Sequence, residues 1–361
     1  MQTPFYNPEL TYEENFAEGP FGAFADNENQ STWQVDQSEK NPTKYDFLGV
    51  RVSSPFGIPA GPLINSKFCK AAFEKSFDIC VYKTVRSGTY LSHPFPNILA
   101  VKVEGDLTFE KAKSKLVANE NYKESLSITN SFGVPSKDPK VWQEDVKKAI
   151  AYAGKGQILV LGFMGTVREN QTSEEFIADY GLAANLAKET GAKILETNLS
   201  CPNIGNEGLV CYDLEMTEKI CRAIRKEIGD TPLILKVGYY KNEEDIKKLA
   251  EIAKKYAQAI AAINTIPAEI VDEKGKQALP GPNRIKSGVC GASIKWAGLE
   301  MTEKLKKARE ETGGNFQIIG VGGVMNADDF FEYRQAGADF VMSATGAMWN
   351  PYLAREIKEK L

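Results

Sequence analysis

The chain reads as an α/β protein: a (β/α)8 TIM barrel with loops inserted between its second and third strands and an irregular N-terminal extension. Three observations predict this. Eight short, β-branched apolar runs recur between residues 56 and 346, helix-period segments separate most of them, and 361 residues accommodate one large barrel. The 42% hydrophobic fraction is ample for such a core, and the 25% charged fraction is ordinary for a soluble chain.

In chain order the runs are FGIPA (56–60), ICVYKT (79–84), ILVLGF (158–163), KILETN (193–198), LILKVG (233–238), AIAAINT (259–265), IIGVGG (318–323) and FVMSATG (340–346). Each has the length and composition of a buried parallel strand. Between them, SEEFIADYGLAANLAKE (173–189), MTEKICRAIRKEI (216–228) and EEDIKKLAEIAKKYAQ (243–258) repeat apolar residues at the helical period. The Asp329–Gln335 segment and the terminal PYLAREIKEKL complete the helices. The interval from 85 to 157 is far longer than a crossover needs. It holds inserted loops or a small antiparallel subregion, and insertions of this kind usually belong to the site.

Residues 1–46 form a separate N-terminal strap ahead of a barrel spanning 47–361. Over the first 45 residues, eight acidic residues (Glu9, Glu13, Glu14, Glu18, Asp26, Glu28, Asp36, Glu39) stand against Lys40 and Lys44, with no sustained period. Phe5, Tyr6, Tyr12, Phe16, Phe21, Phe24 and Trp33 are too many aromatics for a solvated tail. The segment is expected to pack on the barrel or on a second subunit, with disorder as the alternative.

A net charge of −4 and the lack of a clustered Lys/Arg patch argue against a nucleic-acid or anionic-membrane partner. No apolar stretch reaches bilayer length, and the N-terminus lacks a signal-peptide layout. The six cysteines (69, 80, 201, 211, 221, 290) are dispersed without a CxxC, which points to a reduced, cytoplasmic setting and away from a metal or cluster site. Cys69, Cys80 and Cys221 read as core residues, and Cys290 falls near a loop. The single histidine, His93 in LSHPFPN, reads as a surface or loop-packing residue rather than the hub of a triad.

In a barrel the chemistry sits where the strands end. Those positions are PAG (59–61), Lys83-Thr84, Asn198 followed by Cys201 and Asn203, Lys236, Asn264-Thr265, Gly322-Gly323 and Ala344-Thr345-Gly346. After strands seven and eight, GVGG and SATG each precede a helix, leaving backbone amides to converge on a phosphate; two Gly-containing turns without a ligand are the alternative. Lys83 and Lys236 commit their stems to the interior and need an anionic or electron-rich partner, or else a core carboxylate such as Glu196. Asn130, Asn198, Asn203 and Asn264 could read the alternating donor and acceptor edge of a pyrimidine-like ring, although singly each also suits a turn or cap. Cys201, in NLSCPNIGNEG, is the best proton acceptor on that rim, and Gly205 and Gly208 would let its segment move.

Taken together, NLSCPN, KT on strand two, NSFG in the insertion, LKV, NT, VCGASIK and GVGG…SATG resemble the class 1 dihydroorotate dehydrogenases over about residues 47–361. NLSCPN is also shared with the pyrimidine-reducing domain of dihydropyrimidine dehydrogenase, whereas the membrane-attached class 2 enzymes carry serine in place of the cysteine. Three features depart from the family pattern: Ala60 replaces a flavin-contacting serine, Cys290 replaces a glycine, and NTIPAEIVDEKGK continues strand six in an unusual way.

The resemblance implies FMN-dependent oxidation of dihydroorotate to orotate in pyrimidine biosynthesis. The FMN phosphate would lie on Gly322, Gly323, Ala344 and Thr345 with Gly291 nearby, and Ala60, Gly61, Thr84 and Asn198 would also contact the cofactor. Lys236 would face the flavin pyrimidine end, and Lys83 would stand between flavin and substrate. Asn130, Asn198, Asn203, Asn264 and Thr265 would bind the orotate ring, and the Phe132-Gly133-Val134 backbone its carboxylate. Cys201 would take the C5 proton while hydride leaves C6 for flavin N5. Another dihydropyrimidine substrate and a non-catalytic flavin-binding subunit are the alternatives. The electron acceptor implied is fumarate, or NAD through a partner subunit, and the assembly implied is a homodimer.

Overall fold

The computed structural model describes residues 3–25, 44–122, 126–200, 209–282 and 284–361. Its strands, in chain order, are β1 (Tyr45–Phe47), β2 (Val50–Val52), β3 (Phe56–Ile58), β4 (Ile79–Val85), β5 (Ile98–Val101), β6 (Lys115–Asn119), β7 (Ser127–Asn130), β8 (Ile158–Phe163), β9 (Ile194–Asn198), β10 (Leu233–Lys236), β11 (Ala259–Ala262), β12 (Ile266–Val271), β13 (Lys286–Gly291), β14 (Gln317–Val321) and β15 (Phe340–Met342). Strands β3, β4, β8, β9, β10, β11, β14 and β15 close in that order into one parallel barrel. All eight apolar runs of the sequence are therefore barrel strands.

Side chains alternate across each strand, and the barrel sorts them by parity. Ile79 and Val81, Ile158 and Val160, Ile194, Ile234, Ala259 and Ala261, Ile319, Phe340 and Met342 form one buried cluster inside. The intervening residues, among them Cys80, Leu159, Leu195, Leu235 and Ile318, belong to a second cluster shared with the helices. The helices form where apolar periodicity and caps coincide. Helix Ser173–Lys188 opens on a capping box between Thr172 and Glu175, and helix Ala327–Ala336 opens on one between Asn326 and Asp329. The antiparallel β1–β2 hairpin closes the end where the strands begin: Phe47 packs on Phe340 with ring centroids 4.7 Å apart, and Gln317 donates to the Asp46 carbonyl at 2.8 Å.

The long insertion does contain an antiparallel subregion, but it is only part of a larger sheet. β5, β6 and β7 combine with β12 and β13, from a second excursion after strand six, in a closed five-stranded sheet. Gly288 pairs with Asn130, and Ile266 pairs with Val289. Cys290 accordingly lies within strand β13 rather than in a loop.

The described part of the N-terminal strap packs against the barrel. Phe5, Tyr6, Tyr12 and Phe24 are buried, and burial of a large apolar side chain contributes roughly 1.5–3 kcal/mol before ordering costs. Helix Tyr12–Glu18 carries the fully buried Asn15, whose amide donates to the carbonyls of Asn7, Leu10 and Thr11. Phe5 N–H donates to Met348 O at 3.0 Å, and Asn65 Nδ2 donates to Phe16 O at 2.8 Å. Trp33 lies outside the described residues.

Candidate active site

Beyond the apolar layers, the inward parity of three strands turns polar. Lys83 follows Ile79 and Val81, Glu196 and Asn198 follow Ile194, and Lys236 follows Ile234. The β4–β8 register shifts between Tyr82 and Val85, around Lys83, and an irregularity of this kind re-aims side chains at a strand end. Lys83 and Lys236 are buried, and desolvation lowers both ammonium groups to about 8. Arg86 adds to the effect on Lys83, whereas Glu196 opposes it for Lys236. Burial raises Glu196 to about 7 against the field of Lys236. Neither Lys236 Nζ nor either oxygen of Glu196 has a hydrogen-bond partner among the described residues. The core-carboxylate alternative for Lys236 thus reduces to a field without a bond, and its ammonium is left for a group in the cavity.

At the ends of β14 and β15 the backbone forms a cradle. Gly322 gives its carbonyl to the Tyr333 hydroxyl at 2.5 Å, and Val324 gives its own to Ser343 Oγ at 2.6 Å. Among the described residues, no carbonyl accepts from the amides of Gly323, Ala344 or Thr345. Gly323 has φ +68°, and a Cβ there would lie 2.6 Å from the Lys295 nitrogen, so only glycine fits without displacing backbone. Thr345 Oγ1 donates to Cys290 Sγ at 3.6 Å, and burial raises the Cys290 thiol to about 11, which keeps it protonated. Unspent amides beside glycine suit an anion such as phosphate.

Opposite polarity requirements shape the 132–134 loop. Phe132 O accepts from His93 N at 3.0 Å, Gly133 O from Arg86 Nη2 at 3.0 Å, and Val134 O from Arg86 Nε at 2.9 Å. The three carbonyls are thereby engaged, while the three amides have no acceptor among the described residues. Gly133 at φ +74° permits this turn. Amides unspent in this way, with the Arg86 guanidinium behind them, are matched to a carboxylate.

One cavity of about 350 Å³ gathers these groups, within the roughly 300–1,000 Å³ range of small-molecule sites. It is lined by Ala60, Gly61, Lys83, Thr84, Asn130, Phe132, Gly133, Val134, Asn198, Lys236, Asn264, Thr265, Gly291, Gly322, Gly323, Ala344 and Thr345. Cys201 and Asn203, together with Gly205 and Gly208, lie outside the described residues.

Sequence reasoning missed several further wall residues. Tyr6 arrives from the strap, and Lys286, Ser287, Gly288 and Cys290 arrive from β13. His93 does pack in a loop, but that loop lines the cavity, and burial lowers its basicity with help from Arg284 and Arg86. Arg284, only 2% exposed, donates to the carbonyls of Pro94, Pro280, Pro96 and Ser131 and to Ser131 Oγ, tying the 93–97 loop to the 131–134 turn. The clustered prolines in HPFPN were the only available signal that this loop is held in one shape.

Comparison with known proteins finds matches over most of the chain. The dihydroorotate dehydrogenase family model matches residues 119–361. The chain is 35% identical to a dihydroorotate dehydrogenase of Dictyostelium discoideum, over 98% of this chain and 96% of that protein. It is 30% identical to the catalytic subunit of dihydroorotate dehydrogenase B (NAD(+)) of Staphylococcus carnosus, over 50% of this chain and 56% of the subunit. With the NAD-dependent dihydropyrimidine dehydrogenase subunit PreA of Escherichia coli it shares 27% identity, over 85% of this chain and 68% of that subunit.

Proposed function

Because the chain belongs to the dihydroorotate dehydrogenase family of flavin oxidoreductases acting on CH–CH donors, we propose that it binds FMN and oxidises dihydroorotate to orotate. The observation that carries this reading is one cavity that gathers an amide cradle, a buried Lys236 and a second set of amides at 132–134, all without partners among the described residues.

The amides of Gly323, Ala344 and Thr345, with Gly322 and Gly291 alongside, would hold the FMN phosphate, and Ala60, Gly61, Thr84 and Asn198 would line the cofactor. Bound there, FMN supplies the hydride acceptor, its N5. Lys236 would balance negative charge at the pyrimidine end, and Lys83 would stand between cofactor and substrate. The amides of Phe132, Gly133 and Val134 would take the substrate carboxylate, and Asn130, Asn198, Asn264, Thr265 and Asn203 its ring. Cys201 is assigned the C5 proton on sequence grounds: a thiolate takes the proton as the C6 hydride departs, and the C5=C6 double bond of orotate forms. No carboxylate side chain lines the cavity among the described residues, and the buried Cys290 thiol is held protonated.

A second reading, oxidation of another dihydropyrimidine, is favoured by the likeness to PreA. The two differ in a carboxylate, and the 132–134 amides favour the substrate that has one. Anaerobic mixing decides: dihydroorotate is expected to bleach the bound flavin and dihydrouracil to leave it oxidised, and the reverse result overturns the assignment. Fumarate is the acceptor we assign, with reoxidation by fumarate but not NAD on the purified chain as its test. We further place the enzyme in the cytoplasm as a homodimer; among the described residues Cys69, Cys80, Cys221 and Cys290 form no disulfide, in keeping with a reducing compartment. No helix among the described residues is long and apolar enough to cross a membrane.

A further inference from the structure

The strap enters a site that strand-end reasoning assigns to the barrel alone. Tyr6 lines the cavity and is 2% exposed. Its ring meets that of Phe132 edge-on, with centroids 5.5 Å apart and planes at 84°. Tyr12 meets the same ring at 6.1 Å and 66°, and the Lys83 ammonium lies 5.5 Å from its centroid. Phe132 is thus held between two rings of the strap and a cation of the barrel. The residues that follow it, Gly133 and Val134, sit at φ +74° and +55°. A non-glycine residue keeps such a conformation only where its surroundings impose it.

We propose that Tyr6 is a positioning residue for the substrate: its ring fixes Phe132, and through it the 132–134 amides that take the carboxylate. This rests on the carboxylate reading of that loop given above. The ring is what acts. The Tyr6 hydroxyl is buried with no hydrogen-bond partner among the described residues, so phenylalanine would keep the contact and remove an unsatisfied donor.

The test uses the full flavin-loaded chain, with orotate affinity read from perturbation of the flavin spectrum and dihydroorotate half-reactions followed under anaerobic stopped flow. In Tyr6→Ala, the orotate dissociation constant and the half-saturating dihydroorotate concentration are expected to rise about tenfold while the saturating reduction rate stays within about twofold. Tyr6→Phe is expected to match the wild type. Ile220→Ala, a core change that does not line the cavity, serves as a control for lost stability and is expected to leave orotate affinity unchanged. The proposal is overturned if folded, flavin-loaded Tyr6→Ala binds orotate like the wild type, if Tyr6→Phe is as impaired as Tyr6→Ala, or if Ile220→Ala weakens orotate equally. Should the wild type itself bind no orotate, the functional reading fails and the positioning role falls with it; the other outcomes leave that reading intact.

Discussion

Glu196 and Lys236 occupy adjacent parallel strands, both on the inward face, yet neither the carboxylate nor the ammonium has a hydrogen-bond partner among the described residues. Glu196 pairs in register with Ile234 and Lys236 with Asn198, so the carboxylate lies one inward layer below the ammonium. Its field is what raises Lys236 against the desolvation that lowers it.

A pH effect follows from this arrangement. Desolvation depresses Lys236 from 10.5 to about 8, so its neutral form is favoured in the fold above about 8 and its charged form below. Glu196→Gln removes the opposing field and depresses Lys236 further. Cofactor affinity that depends on the ammonium is then lost at lower pH than in the wild type. In flavin-fluorescence titrations across pH 6–10 the alkaline limb should move to lower pH, with affinity on that limb weakened on the order of tenfold per unit of displacement. An unchanged limb would show that Glu196 does not support Lys236.

Gly323 should tolerate no side chain. A Cβ placed 2.6 Å from the Lys295 nitrogen, on a backbone at φ +68°, distorts the cradle at a cost of about 1–3 kcal/mol. Gly323→Ala is expected to fold, as judged by circular dichroism, and to retain FMN roughly tenfold or more less tightly in equilibrium dialysis.

Arg284 holds the wall behind the 132–134 loop through five donated hydrogen bonds. Removing it strands several half-buried carbonyls, and Arg284→Ala is expected to lower unfolding stability in urea by about 3 kcal/mol or more. Arg284→Lys should recover less than half of that, because one ammonium cannot reproduce the planar fork.

Cys201→Ser tests the proposed proton acceptor directly. The saturating rate of flavin reduction by dihydroorotate is expected to fall by about 10²–10⁴-fold, with orotate affinity preserved. Equal rates in variant and wild type would remove Cys201 from the chemistry.

Much of this was legible because a barrel converts position along a strand into position in space. KT ending β4, LKV ending β10, and the glycine turns after β14 and β15 are local motifs, and each lies on the cavity rim without reference to any other segment. The five-stranded sheet was not legible as such. Its pairing of Gly288 with Asn130 joins short segments far apart in the chain, and neither segment carries a period long enough to announce its partner. For that reason the sequence places Cys290 only near a loop, whereas it lies within β13.

The sequence by itself determined the barrel, the lysines on its inner face and the glycine turns at the ends of its last two strands, since strand alternation and glycine turns act over a few residues. Tertiary structure alone decided three other matters: that Tyr6 backs Phe132, that Arg284 braces the 93–97 loop, and that Glu196 reaches Lys236 by its field without a bond. Each depends on distances between side chains that no local backbone preference sets, and only the packed core brings those side chains together.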